Sequence, residues 1–460
     1  MPAAAVADHP CREAVAVRVA ACRRMRLAVA RAGLVLAAAS AVACDGTIAP
    51  ETFPVRVTVT EAWSGAEVPI VSRGFGATWL LPSVWLDDVA LAVRRLDDTT
   101  VAATLPVASG SHTLTVRSLY TEPTTAPITV YGYAGADAAY PDIIADVLVW
   151  PRTGHASVLG VSQLGLTLID LDAKTVTVFD SIFDPARCWD VLRGPGVTLH
   201  DSVFVVLPVG GGASLWHLGA ETSSARRLDF DVFRQVMQLG PDTWLRSGHH
   251  SIAVISRADS SSPYQSQVTF SAEETEGVHL SPRKDRATIQ IDKAWGGVPV
   301  FDVPSGAVAY RITTQEVAAG IDFSTDGELL AVVGGTTWFE SPTGRVLLLR
   351  ASDGEILQDT TLDLQVFTVA IDPVRPWIYV GAAEPDGSLL GGAHPVVLVL
   401  DRRTFAVIAT LHVPPDAPTC DTGCYKGVIA LSDDPVLYVA WGWQPPHTIA
   451  WRFTLPSDGW

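Results

Sequence analysis

Three groups of residues carry side chains suited to chemistry. His249 and His250 offer imidazoles to a metal, but neighbouring residues of a strand point to opposite faces, so at most one is well aimed. Cys420-Asp421-Thr422-Gly423-Cys424 brings two thiols close in sequence. Asp322-Phe323-Ser324-Thr325-Asp326-Gly327 has the oxygen spacing that opens a calcium loop. The twelfth position of that loop is Val333, where a bidentate glutamate is needed, so the segment reads as a turn with glycine at positive φ. No Gly-x-Ser-x-Gly elbow, His-Glu-x-x-His, phosphate loop or dinucleotide fingerprint occurs. Gly210-Gly211-Gly212 and Gly74-Phe75-Gly76 read as loop or turn glycines, because neither joins a strand to a helix.

A second kind of chemistry is recognition. Tryptophans and histidines gather in short segments: His249-His250, Trp295-Gly296-Gly297, Thr337-Trp338-Phe339-Glu340, and Trp441-Gly442-Trp443-Gln444-Pro445-Pro446-His447. An exposed indole offers a large rigid surface and one N–H donor, which suits a binding face. The competing reading is that these tryptophans cap the ends of sheets.

The elements that must position these residues are strands. From Thr52 to about residue 135 apolar and polar residues alternate, as in Val55-Arg56-Val57-Thr58-Val59-Thr60 and His112-Thr113-Leu114-Thr115-Val116. Asp87-Asp88, Asp97-Asp98 and Ser109-Gly110 punctuate them, so this part reads as a small antiparallel sandwich. Ala134 to Tyr140 reads as a linker. From Pro141 a longer unit recurs. Gly320 to Val333, Val346 to Gly354 and Ile356-Leu357 read strand, turn, strand, loop, strand, turn, strand. Val369 to Pro373, Trp377 to Val380, Val397 to Asp401 and Val407 to Thr410 repeat that order. The turn positions Asp302, Arg350 and Asp401 recur at the spacing of four-stranded blades.

Residues 52–135 resemble an IPT/TIG immunoglobulin-like domain, through Gly74-Phe75, Val84-Trp85-Leu86-Asp87-Asp88, Thr100 to Pro106, and Gly110 before the strand ending at Val116. Residues 141–460 resemble YVTN and WD40-like (TolB-type) propellers, through Phe323-Ser324-Thr325-Asp326-Gly327, Leu168-Ile169-Asp170 and Phe301-Asp302. The expected fold is all-β: an immunoglobulin-like β-sandwich followed by a seven-bladed β-propeller, with blades starting near residues 145, 188, 231, 277, 318, 366 and 425. The resemblance implies that the Trp- and His-bearing segments connect second to third strands and share the face where such propellers bind ligands. The face candidates are His249, His250, Trp295, Trp338, Glu340, Trp441, Trp443 and His447, with the Glu384 to His394 loop beside them.

The N-terminus sets the compartment. Arg23, Arg24 and Arg26 precede an apolar stretch from Leu27 that ends Ser40-Ala41-Val42-Ala43-Cys44. That pattern resembles a bacterial lipoprotein signal with its lipobox. It implies cleavage before Cys44 and acylation there; plain secretion is the alternative. Residues 25–43 are then the signal peptide, 44–51 the lipidated tether, and 1–24 an extension of the gene model. In an oxidising compartment Cys420 and Cys424 read as a local disulfide, with free thiols or a metal or redox pair as alternatives.

The whole chain carries −17 at 48% hydrophobic content. Six arginines against Asp8 and Glu13 put residues 1–43 at +4, leaving about −21 on the rest. So acidic a surface excludes a nucleic-acid partner and leaves the lipid anchor as the expected contact with the membrane. The leading expectation is a lipid-anchored cell-envelope protein whose propeller binds a protein or glycan without catalysis. One alternative is a lactonase-like propeller hydrolase, with Asp190, Asp322 and Asp372 as channel carboxylates. No cofactor is expected, and a divalent metal enters only with that alternative. The other is a structural surface-coat protein.

Overall fold

The computed structural model describes residues 52–137 and, from 143 to 457, the strands with most of the tight turns. Residues 1–51, 138–142 and 180–197 lie outside the described residues, as do the loops 248–250, 291–296, 335–342, 386–392, 416–425 and 442–447 and some shorter ones. The calls on Cys44, Asp190, His249, His250, Trp295, Trp338, Glu340, Cys420, Cys424, Trp443 and His447 therefore lie outside them.

Period-two patterning builds the N-terminal unit. Glu67–Val71 turns Val68 and Ile70 inward, opposite Ala103 and Val101 of Thr100–Thr104. With Arg56–Val57 and Ala92–Arg95 these strands form one sheet. The facing sheet runs Glu61–Trp63, Thr121–Tyr131, Gly110–Ser118, Ser83–Leu86 and Val89–Ala90. Its first pair is parallel, with Trp63 opposite Tyr131. Val84, Leu86, Leu114, Val116, Ile128 and Val130 fill the space between the sheets. Each such buried aliphatic side chain contributes about 1.5–3 kcal/mol. The one helical element among the described residues is the 3-10 turn Arg73–Ala77, capped by Ser72, which accepts from the Gly74 amide at 3.2 Å and seats Phe75 in the core. Gly74 is required there, because a Cβ would stand 2.8 Å from the Tyr120 carbonyl oxygen.

The described strands from Tyr133 onward form seven four-stranded antiparallel sheets. Six are consecutive meanders, whose first strands are Ile143–Arg152, Thr198–Leu199, Gln235–Gly240, Gly277–Leu280, Gly320–Phe323 and Gln365–Ile371. The seventh takes Lys426–Leu431, Pro435–Trp441 and Thr448–Thr454 from the C-terminus and Tyr133–Asp137 from the N-terminus. Tyr133 pairs with Phe453 and Asp137 with Ala450. Most of the segment expected as a linker is thus the closing strand. Its small residues, Ala134 to Ala136, disguised it, because they carry none of the β-branched bulk that marks a strand. The first described strand of the second sheet is Thr198–Leu199, and the expected start near residue 188 lies outside the described residues.

Burial reports each strand's place in its sheet. Inner strands are covered on both faces: Gln365–Ile371 is buried from Val366 to Ile371, and Leu329–Gly334 from Leu330 onward. Neighbouring sheets stack on both sides, so alternation disappears and apolar runs such as Val346-Leu347-Leu348-Leu349 replace it. The fourth strands, Val308–Ile312, Ile356–Leu362 and Val407–His412, are largely exposed along one side. From the third sheet to the seventh the first strands of successive sheets lie against one another, and the first strand of the seventh sheet also meets that of the first. Such repetition around a centre, closed by joining the two ends, is the organisation of a β-propeller, which leaves only short edges.

The third-to-fourth-strand turns need one left-handed residue, and Gly306, Gly354 and Phe405 take it in three successive sheets, at φ of 74°, 76° and 54°. At Gly354 a Cβ would also run into the Tyr310 ring. Gly354→Ala is expected to cost about 1–3 kcal/mol from strain and overpacking combined. A lowered urea midpoint with an unchanged m-value would show it; an unchanged midpoint would refute it.

Candidate functional site

Five successive sheets, the third to the seventh, hold the candidate recognition segments in the same connection. Residues 248–250 join Thr243–Ser247 to Ser251–Ser256, and 291–296 lie between Arg286–Gln290 and Val298–Asp302. Residues 335–342 follow Leu329–Gly334, and 386–392 lie between Trp377–Pro385 and Ala393–Asp401. Residues 442–447 lie between Pro435–Trp441 and Thr448–Thr454. Each is the link from second to third strand. Trp441 ends its strand, opposite Lys426 on one side and Thr448 on the other.

The opposite ends of the strands show what the described carboxylates do. In the first-to-second-strand turns Ser281, Ser324 and Asp372 are equivalent, since their amides donate to Arg286, Leu329 and Trp377 carbonyls. The Ser324 hydroxyl donates to Asp326 at 2.6 Å and accepts from the Leu329 amide at 2.9 Å. Asp326 accepts from the Glu328 amide at 2.9 Å, and these bonds, the Ser324 hydroxyl first, hold its carboxyl below the usual range. The calcium-like spacing is therefore a turn lock, with Gly327 at φ 69°. Asp302 and Asp401 lock the third-to-fourth-strand turns: Asp302 takes the Ser305 hydroxyl and amide, and Asp401 takes the Thr404 amide at 2.8 Å and hydroxyl at 2.9 Å. Both carboxyls are held low by those bonds.

Asp372 is enclosed completely. It accepts from the amides of Val374 and Arg375, each at 2.8 Å, from the Tyr379 hydroxyl at 2.8 Å and from the Arg375 guanidinium at 3.2 Å. Arg375 also donates to the Pro456 carbonyl at 2.8 Å and stands over the Trp377 ring. Burial and the adjacent carboxylate push the Tyr379 phenol far above its ordinary range, so it stays a donor. The group ties the sixth sheet to the C-terminal segment after the seventh, and its acceptor capacity is used by protein donors. The sequence put Asp372 and Asp322 in one class, but the register separates them: Asp322 lies inside the first strand, Asp372 in the turn after it.

Asp322 is the described carboxylate on an innermost strand that also keeps partial exposure. Its Oδ2 accepts from the Ile371 amide of the next sheet at 2.7 Å. That amide lies on the inner edge strand, so the side chain satisfies a donor the sheet leaves unpaired. Enclosure by protein raises the carboxyl to about 7, against a smaller opposing effect of the amide bonds from Ile371 and Phe323. The sign follows. A folded-state value above the ordinary 3.8 makes the folded chain hold the proton more tightly, so this contribution is complete below pH 4 and is lost as pH rises through about 7. Asp322→Asn is expected to flatten that part of the stability profile and to raise the urea midpoint at pH 8. Parallel profiles for the two proteins between pH 4 and 8 would refute this.

Among the described residues no three His, Cys, Asp or Glu side chains converge as a metal site would require. The sequence did not reveal the seam between sandwich and ring. Trp63 packs edge-on against Tyr131 and against Trp377, with centroids 6.1 and 5.6 Å apart. Tyr379, Trp451, Phe453 and Leu455 belong to the same cluster, with Tyr133 at its margin. The Gly132 amide donates to the Thr454 hydroxyl at 3.2 Å, and the Thr454 amide to the Gly132 carbonyl at 2.8 Å. The aromatic residues on both sides were the available signal, but nothing local says which sheet each would meet.

No family model matches this chain, and no curated protein matches it. Among solved structures, it is similar to a chain of the "Crystal Structure of Mitotic Checkpoint Complex" at 12% identity, with TM-score 0.44, over 69% of this chain and 93% of that one. It is also similar to the Myceliophteria thermophila Cps50 (Swd1) beta-propeller domain, at 9% identity and TM-score 0.47, over 71% of this chain and 100% of that one. The order and closure of the sheets, rather than these likenesses, make the C-terminal part of the chain a β-propeller.

Proposed function

We propose that this chain is a lipid-anchored cell-envelope protein in which an immunoglobulin-like sandwich carries a seven-bladed propeller, and that the propeller is a non-catalytic binding scaffold for an envelope protein or glycan. The observation that carries the reading is the use made of the described carboxylates. Asp302, Asp326, Asp372 and Asp401 are held by turn amides, hydroxyls or a guanidinium, as a rigid support needs and as an open catalytic set does not allow. The five equivalent second-to-third-strand connections, with Trp295, Trp338, Glu340, Trp441, Trp443, His249, His250 and His447, then form the binding face. Cys44 is the acylated residue, and Cys420 with Cys424 closes a small loop.

The test is in-cell crosslinking and recovery from the native envelope, comparing wild type with a Trp295→Ala, Trp338→Ala, Trp443→Ala variant. A stoichiometric partner recovered with wild type and lost from the folded variant is the expected result. Equal recovery would reject the tryptophan face, and recovery of nothing would reject the scaffold. One observation favours the hydrolase alternative: Asp322 is a largely enclosed, partly exposed carboxylate on an innermost strand with an affinity for protons near neutrality. Stoichiometric divalent metal lost in Asp322→Asn would decide for that reading.

A further inference from the structure

The end of the sandwich far from the ring carries a cluster of apolar side chains in water. Trp79 is 86% exposed, Leu119 67%, and Leu80, Leu81 and Leu96 lie between 41% and 46%. The strand registers bring these scattered positions together. Ser83, which follows the Trp79 loop, pairs with Arg117, beside the Leu119 hairpin. The Leu96 hairpin meets the same loop through Arg95, which donates to the carbonyls of Phe75 at 2.9 Å and Thr78 at 2.8 Å. Those bonds, the Leu80 amide on the Thr78 hydroxyl at 3.1 Å and the buried Pro82 hold the loop in shape. Trp79 is therefore projected outward by a built loop. An apolar group so displayed marks a contact surface.

The chain's own course says what that surface meets. Phe53 enters the fold at this end, its amide donating to the Tyr120 carbonyl at 3.0 Å. Cys44 lies nine residues earlier, a reach of at most about 30 Å for extended chain. The ring is joined at the other end, beyond Thr121–Tyr131, a strand about 35 Å long. We propose that the Trp79, Leu80, Leu81, Leu96 and Leu119 end of the sandwich seats in the interfacial zone of a lipid bilayer, and so stands the ring upright with its loops directed away from the anchor. The inference rests on the anchored-protein reading for the position of the membrane. Indole rings and leucines partition into that zone through their apolar area, and a second weak contact beside one acyl anchor fixes orientation. The charged rim is mixed, with Arg73 and Arg117 against Asp97, Asp98 and Glu122, all exposed. Contact therefore depends on apolar area and gains nothing from anionic headgroups, and it would act in addition to the lipid anchor expected from the sequence.

The test uses residues 45–460, which keep every described residue and lack the acyl site. Flotation with phosphatidylcholine vesicles is expected to carry this protein upward, with no increase when phosphatidylglycerol is added. A Trp79→Ser, Leu119→Ser variant is expected to partition about tenfold more weakly or worse, with its thermal unfolding unchanged, since both side chains are already in water. Wild type that stays with the soluble fraction, or a variant that floats equally, would overturn the proposal. So would a dimer in sedimentation velocity abolished by the same substitutions, which would make a second copy the occupant. Fatty-acid labelling of the full chain in cells reports on Cys44 separately, so failure of the anchor and failure of the apolar contact read differently.

Discussion

Asp372→Ala is expected to lower the stability of the propeller by about 3–5 kcal/mol, among the largest effects of any single substitution in the chain. The size follows from what would be stranded. Arg375 and Asp372 are both buried, with side chains 6% and 0% exposed. Removing the carboxylate leaves a guanidinium without its counter-charge and two turn amides and a phenol without their acceptor. Arg375→Ala should cost a similar amount, and the double variant less than the sum, because the second removal strands nothing further. Equilibrium unfolding in urea, followed by tryptophan fluorescence, measures all three. Asp401→Ala, in an exposed turn of the same sheet, supplies the contrast, with a much smaller loss. Equal losses at the two aspartates would mean that the buried group is not the clasp described here.

Trp63→Ala is the second large effect. It removes a side chain shared by the sandwich and the ring, and large-to-small changes of this kind cost about 3–5 kcal/mol. The distinctive consequence is loss of coupling. Wild type is expected to unfold in one transition, because the Trp63, Tyr131, Trp377, Tyr379, Trp451 and Phe453 cluster belongs to both parts. The variant should unfold in two, and a protease should cut it near Gly132. Gly132→Ala should act in the same direction, since a Cβ there would stand 2.6 Å from that of Ser64. A single unchanged transition in both variants would show the two parts to be independent.

How much of this the sequence disclosed depends on the length over which a pattern acts. The sandwich was legible because strands such as Gly110–Ser118 bury one face, with Leu114 and Val116 alternating with polar neighbours. The later sheets of the ring were legible through their turn residues, since Asp302 and Asp401 each fix a turn within four residues. Phe405 shows the limit of that method: it occupies the left-handed position that glycine fills in the two preceding sheets, and its bulk is kept because it fills core. The closing strand was hidden for a different reason. Its partner lies more than 300 residues away, and no local pattern encodes a pairing at that distance. Asp322 and Asp372 looked alike in sequence because both neighbour an inner strand. Two positions of register gave one a neighbouring sheet's amide and the other an arginine. The Trp- and His-bearing candidate segments were legible as connections between strands, and the flanking strands place them in equivalent links.

The platform reading depends on the ring being closed by a strand that leads directly out of the sandwich. Hydrogen exchange at the amides of 133–137 and 448–454 tests this most directly. The account predicts that both segments are protected to a similar degree, that they open together, and that Ala136→Pro exposes both, because proline cannot extend that ladder. Rapid exchange at 133–137 beside a protected 448–454 would contradict it: the ring would be open, and the sandwich would hang from it by a tether rather than hold it in place.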